Sequence, residues 1–493
     1  MSASNRLGLA ILASLLVVGC AGAPVPPSPS AVPQVSSSPI AQSSPERSPD
    51  TATSSSAPAS AAVAPDGSAA VTPVRNVVDV RTSVLLAPGS DGGLYVSMGA
   101  KSGTVLMLLD STGRARAGWP VTLKGWDYCS APAPSEDGSV RIVCSGGNPE
   151  TNRAFAFDAS GKLMAGWPVE FPGTVTVWAH REQPRVIDGR LVIIANEWIT
   201  PADPGAAPDR GEAWLVSVAA NGSIQTGMRV SHACCSGSSR LAADGTAVLT
   251  ETRGRPISTR VIAFDLDGVW DGWPVSIDGW TSAPAFGPNG SIYLAVGSPE
   301  RGPTRTLVFD RAGRALPVGS DALAIATSSE YVGAGMEPGP PIVADDGTAF
   351  IVETGGKTTV FGLDPAGQIM TGWPYRATIG IENRGSCSAD SAGCGYFRTT
   401  PQTGPGTVLY LLQAARDTSI GGSAVAIGRD GKVRPGWPVV LRRKGASFST
   451  IVPGTDGMVY ALAVEPEDHG QSATVLAITR NGTVSYGTTV VEP

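Results

Sequence analysis

The sequence predicts an all-β chain, an eight-bladed β-propeller with four-stranded blades, preceded by a signal peptide and a disordered linker. Three observations carry this. Two short phrases alternate through the chain in eight copies. Asp-Gly and Asn-Gly pairs stand between apolar runs at hairpin spacing. The chain holds 61 Gly and 41 Pro but only 16% charged residues, a composition suited to short strands and many tight turns.

The N-terminus comes first. Arg6 is a minimal charged segment, and Leu7 to Val18 is an apolar run too short to span a bilayer. Leu16-Val17-Val18-Gly19-Cys20 resembles the bacterial lipobox, in which the cysteine is lipidated and becomes the first residue. The expectation is a lipoprotein signal peptide over 1–19 and an anchor on Cys20, on the outer side of the cell membrane. Ordinary secretion with Cys20 as a free thiol is the alternative. Residues 20–75 are rich in Ala, Ser, Pro and Thr and cannot bury enough apolar surface to offset their ordering entropy. They are expected to be a disordered tether with a typical reach of about 40 Å. No later segment is long and apolar enough for a transmembrane helix.

The folded part is expected over 76–493. Its first phrase is an apolar run ending in Asp, a turn closing with Gly, then Gly-Trp-Pro. Leu109-Asp110-Ser111-Thr112-Gly113 leads to Gly118-Trp119-Pro120, and Phe157-Asp158-Ala159-Ser160-Gly161 leads to Gly166-Trp167-Pro168. Asp265, Asp364 and Asp430 head the copies that end in Gly272-Trp273-Pro274, Gly372-Trp373-Pro374 and Gly436-Trp437-Pro438. Weaker copies sit at Asn221-Gly222, Asp310 with Gly313, and Asn481-Gly482. The second phrase is a small or Pro residue, an Asp-Gly or Asn-Gly turn, and an apolar strand. Ala283-Pro284-Ala285-Phe286 passes through Asn289-Gly290 to Ile292-Tyr293-Leu294-Ala295-Val296. Successive copies lie roughly 50 residues apart, as propeller blades do.

Each unit then reads as strands A to D. A precedes the Asp-Gly turn and B follows it; C ends in the Asp of the next turn, and D carries Gly-Trp-Pro. B and C are almost continuously apolar, as in strands covered on both faces. Such units stack around an axis. Each tryptophan of strand D is expected to wedge between neighbouring blades.

The phrase Asp-Gly-x-x-Tyr, then Asp-x-x-Gly, then a late Trp resembles the repeat of the PQQ-binding-like, or quinoprotein alcohol dehydrogenase-like, β-propellers. The resemblance covers about 84 to 485. Here the Trp is locked into Gly-Trp-Pro, and several units lack it. The family implies either dehydrogenases with PQQ and calcium on the axis, or scaffold lipoproteins of the cell envelope. The lipobox is similar to the second. The vicinal Cys234-Cys235 is similar to the cofactor-side disulfide of some quinoprotein alcohol dehydrogenases, but the family's calcium-binding Glu and Asn do not map onto identifiable positions of this chain.

Seven cysteines in an exported chain leave six after Cys20, so disulfides are expected. Cys129 enters strand A of the second blade and Cys144 leaves strand B. A turn centred on Glu136-Asp137 sets the two opposite each other, within bridging distance. Cys387 and Cys394 are expected to close a short loop in the longest insertion. That leaves Cys234 and Cys235 to each other.

The A–B and C–D turns are short, whereas the B–C and D–A connections include long ones from Asn196 to Glu212, Tyr375 to Arg398 and Gln413 to Gly422. Both long types leave from one face, where binding groups concentrate. Candidate ligand-binding residues there are Trp126, Trp178, His180, Arg181, Glu182, Trp198, His232, Trp280, Tyr396 and Arg398. Aromatics with Arg and Glu suit a sugar, a quinone or a peptide; the same tryptophans can instead plug the channel or cap the core. Asp265-Leu266-Asp267-Gly268 with Asp271 has the alternating carboxylates of a calcium loop, but it also fits the plain turn of its repeat. No catalytic residue and no metal site is assigned. The three histidines form no His-Glu-x-x-His, and there is no Gly-x-Ser-x-Gly and no phosphate loop. A net charge of −6 argues against a nucleic-acid partner.

The leading functional reading is a non-enzymatic binding or scaffold lipoprotein, expected to be monomeric, with an envelope protein, peptide or carbohydrate as partner. A PQQ-dependent oxidoreductase is the second reading, with PQQ and calcium not favoured. A carbohydrate-active enzyme using carboxylates such as Glu182 or Glu197 is the third. Non-reducing peptide mapping is expected to find Cys234 joined to Cys235 and Cys387 to Cys394; either pair free or linked elsewhere refutes the assignment.

Overall fold

The structure, a computed structural model, describes residues 84–100, 103–126, 128–146, 151–171, 184–198, 210–233, 238–253, 256–297, 305–318, 339–353, 359–377, 402–413, 421–467 and 470–490. Eight antiparallel sheets follow one another along the chain. Blade 1 is Val84–Pro88, Leu94–Ala100, Gly103–Leu109 and Val121–Lys124. Blade 2 opens with a strand A broken into Tyr128–Cys129 and Ala133–Pro134, then runs Val140–Gly146, Thr151–Phe157 and Val169–Phe171. In blade 3, Arg185–Ile187, Arg190–Trp198 and Arg210–Val218 precede a strand D split into Ile224–Thr226 and Val230–Ala233. Blade 4 is Ser239–Leu241, Ala247–Arg253, Ser258–Phe264 and Val275–Asp278.

Blade 5 again has a divided strand A, Trp280–Thr281 and Ala285–Phe286, with Ile292–Gly297 and Arg305–Phe309; residues 319–338, which follow, lie outside the described part. Blade 6 comprises Ile342–Val343, Ala349–Glu353, Thr359–Leu363 and Tyr375–Arg376. Blade 7 comprises Gln402–Gly404, Val408–Gln413, Ser423–Ile427 and Val439–Val440. Blade 8 comprises Ser447–Pro453, Val459–Glu467, Gly470–Ile478 and Val484–Val490.

The fold is therefore the expected eight-bladed propeller. Strands A of neighbouring blades touch at the boundaries 1–2, 2–3, 5–6, 6–7, 7–8 and 8–1, so A is the inner strand and D the outer. Strands B and C are the most buried, with Leu94, Val105, Ile142, Leu191, Ile262 and Leu409 fully covered. The sequence left the closing strand open; the structure assigns it to Val484–Val490. Thr488 Oγ1 donates to the Gly113 carbonyl of blade 1 at 2.6 Å, and Val84 and Leu86 share a core with Leu462 and Val475 of blade 8.

One expectation needs correction. Gly-Trp-Pro does not lie on strand D but just before it, in a two-part C–D connection. A tight turn at the Asp comes first, then a single bridge such as Leu109 to Ala115, then a second turn at the Gly. The reason lies in the neighbouring blade. Each indole N–H donates to the second carbonyl of the next blade's C–D turn. Trp119 reaches Ala159 at 3.1 Å, Trp167 reaches Ala220 at 2.8 Å, and Trp273 reaches Arg311 at 3.0 Å. Trp373 reaches Arg429 at 2.8 Å and Trp437 reaches Arg480 at 3.0 Å.

The wedge role itself holds. Each of these tryptophans is no more than 7% exposed. Trp373 packs against Phe350 of its own blade, and Trp273 against Phe309 of the next, with centroids at 5.1 and 5.8 Å. The preceding glycine is required by the same contact. Gly372 has φ +91°, and a Cβ there would fall 2.1 Å from the Asp430 carbonyl oxygen of blade 7.

Two variants at the boundary of blades 6 and 7 separate these contributions. Trp373→Phe removes the hydrogen bond but keeps most of the ring, and is expected to cost about 1–2 kcal/mol. Gly372→Ala forces both a strained φ and a backbone clash, and is expected to cost about 3 kcal/mol or more. Urea unfolding followed by circular dichroism checks the order; a smaller loss for Gly372→Ala would show that the backbone approach is not decisive.

Candidate functional site

The chain direction separates two faces. A–B and C–D turns gather on one, with the tryptophan contacts. B–C and D–A connections leave from the other, between Trp198 and Arg210, Arg376 and Gln402, and Gln413 and Ser423. The strands extend further into these connections than the sequence suggests. Glu197 and Glu212 are therefore ladder residues and stand directly opposite each other in blade 3.

Two like charges in that register repel. Arg229, from the segment between the two pieces of strand D, resolves this. Its Nη1 donates to Glu212 Oε2 at 2.8 Å and also to Glu197 Oε2, while its guanidinium lies 4.1 Å from the centre of the Trp214 ring. The bonds from Glu212 and Glu197 raise the Arg229 pKa above its ordinary value. Glu197, a candidate carboxylate for sugar chemistry, is thus part of an ion-paired brace. On blade 4, Glu251 is buried and ion-paired to Arg253 and Arg260, and Arg260 also donates to the Ser231 carbonyl of blade 3.

Trp126 follows strand D of blade 1. Its ring meets Phe155 edge-on at 5.6 Å, the Arg153 guanidinium lies over it at 5.5 Å, and Arg153 is paired with Glu170. It caps the core between blades 1 and 2. Nearby, Cys129 and Cys144 stand opposite in the hairpin and are joined by a disulfide, with Cα atoms 4.0 Å apart. Trp280 is the first residue of strand A in blade 5 and is half-buried. His232 is buried on the second piece of strand D in blade 3, opposite Gly211. Trp198 ends strand B of the same blade. Trp178, His180, Arg181, Glu182, Tyr396, Arg398, Cys20, Cys234, Cys235, Cys387 and Cys394 lie outside the described residues.

Sequence reasoning missed Glu212, Trp214 and Arg229. The signal was present in part. Had strands B and C been drawn to meet at the tip of their hairpin, Glu197 would have faced Glu212 and demanded a cation. The position of Arg229 depends on the break in strand D and was not readable.

Asp265 accepts from the N–H groups of Asp267 and Gly268 and from the Trp270 indole, which makes its loop a plain turn. Among the described residues, no three His, Cys, Asp or Glu side chains are placed to hold a metal ion.

No protein-family model matches the chain, and no curated protein does. Several solved structures are similar to it. The β-propeller domain of the Trilobed protease from Pyrococcus furiosus is 12% identical, with 71% of this chain and 93% of that chain covered and a TM-score of 0.39. Apo AztD from Citrobacter koseri is 14% identical, with 81% and 98% covered and a TM-score of 0.42. Porphyromonas gingivalis dipeptidyl peptidase 4 is 9% identical, with 82% of this chain but 59% of that chain covered and a TM-score of 0.43.

Arg229→Met is expected to cost about 1 kcal/mol at neutral pH, because it removes the cation that bridges the facing carboxylates of Glu197 and Glu212. The loss should shrink as pH falls through the carboxylate range and the pair becomes neutral. Urea unfolding at neutral and at acid pH checks this; a pH-independent loss would assign the effect to packing on Trp214.

Proposed function

We propose that this chain is a lipid-anchored protein of the outer cell surface whose propeller acts as a non-enzymatic binding or scaffold module. One observation carries the reading. The long connections of blades 3, 6 and 7 open on the face opposite the tryptophan contacts. Blade-to-blade bonds occupy much of the turn face, and the loop face is left to present the long segments on a rigid ring. An envelope protein, a peptide or a carbohydrate suits such a surface. The PQQ-like repeat and the lipobox support the scaffold branch of that family, with Cys20 as the anchor and the Ala/Ser/Pro-rich segment as the tether. The two acyl groups of a diacylglycerol-modified cysteine suffice for stable membrane attachment.

Cell fractionation with Cys20→Ser tests the anchor. The variant is expected in the soluble fraction with unchanged thermal melting, whereas the wild type stays with membranes after a salt wash. A variant that still sediments with washed membranes removes the anchor reading. PQQ with calcium is expected to leave the melting temperature unchanged. PQQ-dependent alcohol oxidation that disappears in Cys234→Ser/Cys235→Ser would replace the scaffold reading with an oxidoreductase.

A further inference from the structure

The two faces of the ring differ in what their exposed side chains are made of. Eight large apolar side chains are exposed among the described residues, and seven of them lie in C–D connections, on the turn face. Exposed apolar residues scattered singly need no explanation, but these recur at one place in the repeat. In every blade the last residue of strand C pairs with one residue just beyond the C–D turn. That residue is Leu163 in blade 2, Ile224 in blade 3, Val269 in blade 4, Ile369 in blade 6 and Val433 in blade 7, each between 36% and 40% exposed. In blade 5 it is Ala315, and the exposed Leu316 follows it. Ala115 and Val484 complete the set, so no blade places a polar residue there. Equivalent positions of stacked blades lie on one ring around the axis. The turn face therefore carries an exposed aliphatic side chain at every blade from 2 to 7. The loop face presents ion pairs instead, Arg153 with Glu170, Arg229 with Glu197 and Glu212, and Arg443 with Glu465.

The spacing decides what such a ring fits. A protein partner needs a contiguous apolar core that excludes water. These side chains stand one blade apart with charged residues beside them: Lys162 next to Leu163, Lys432 and Arg434 around Val433, Asp267 and Asp271 near Val269. A lipid surface takes up isolated aliphatic side chains while their charged neighbours stay among the headgroups.

We propose that the turn face rests on the lipid surface to which the chain is anchored, with the aliphatic ring inserted at the headgroup boundary and the loop face turned outward. The inference rests on the lipid anchor proposed above and adds the orientation of the propeller to it. Isolated, partly exposed side chains orient an anchored protein but do not hold a free one, so Cys20→Ser still leaves the membrane. The chain length permits this orientation. Val84 opens strand A at its loop-face end. The roughly 60 residues between Cys20 and Val84 can extend to about 200 Å. A strand of seven residues, such as Val140–Gly146, is about 24 Å long, so the segment is long enough to pass around the ring.

The test uses the full lipidated chain on phosphatidylcholine vesicles, washed with salt, and the same chain in detergent. A water-soluble acylating reagent labels exposed lysines, and peptide mapping reads each site. Lys162 and Lys432 mark the turn face, Lys124 and Lys444 the loop face, and all four are exposed. On vesicles Lys162 and Lys432 are expected to lose most of their labelling relative to detergent, with Lys124 and Lys444 unchanged. Leu163→Ser with Val433→Ser replaces two exposed side chains and is expected to restore labelling while the protein stays on the vesicles. Equal labelling of the two faces, protection of Lys124 and Lys444 instead, or protection that survives the double variant overturns the proposal. Protection that appears only at high protein density on the vesicles assigns the face to a second copy and overturns it as well. These outcomes leave the anchor standing; a wild type that the salt wash removes from vesicles overturns the anchor and this orientation together.

Discussion

A ring of sheets has a geometric problem at its rim. Strands crowd at the axis and diverge outward, so the outer parts of adjacent blades need something to span the gap. In this protein the span is the indole of Gly-Trp-Pro bonded to the next blade's C–D turn, with two backbones drawn together at paired glycines. The acceptor is held ready. Asp158 accepts from the Ser160 and Lys162 N–H groups, and the turn so formed points the Ala159 carbonyl at Trp119. The hydroxyl of Ser160 on the same carboxylate is the largest cause that lowers the Asp158 pKa.

The boundaries without this contact show what replaces it. Between blades 3 and 4, Met228 lies against Gly268. Between blades 8 and 1, Tyr486 packs on Gly113 while Thr488 bonds to its carbonyl. Blade 5 lacks the Gly-Trp-Pro phrase, and its boundary with blade 6 holds a crevice of about 10 Å³ lined by Tyr293, Val308, Val318 and Leu363. A large flat aromatic with one polar tip fills such a gap and satisfies a carbonyl at the same time. Smaller side chains do one or the other.

A second line of bonds runs nearer the axis, among the A–B turns. Tyr95 donates to the Gly138 carbonyl of blade 2 at 2.6 Å, Arg141 to Gly189 of blade 3 at 3.1 Å, and Tyr460 to Gly92 of blade 1 at 3.3 Å. With the rim contacts, these bond most neighbouring blades to each other on the turn face. The loop face is joined differently, by ion pairs such as Arg229 with Glu197 and Glu212.

Blade number, strand order, the Cys129–Cys144 bridge and the wedge role of the tryptophans were all legible in the amino-acid order. They rest on local rules: Asp-Gly turns set hairpins, alternation and apolar runs set strands, and a repeat of about 50 residues sets the blade. The tertiary structure alone decided that Gly-Trp-Pro sits before strand D, that Val484–Val490 closes the ring, and that Glu197 is braced. Each of these depends on which groups from separate parts of the chain come within hydrogen-bond distance. A one-dimensional pattern specifies what each blade is, but the angle and spacing between blades emerge only when all eight are packed around one axis.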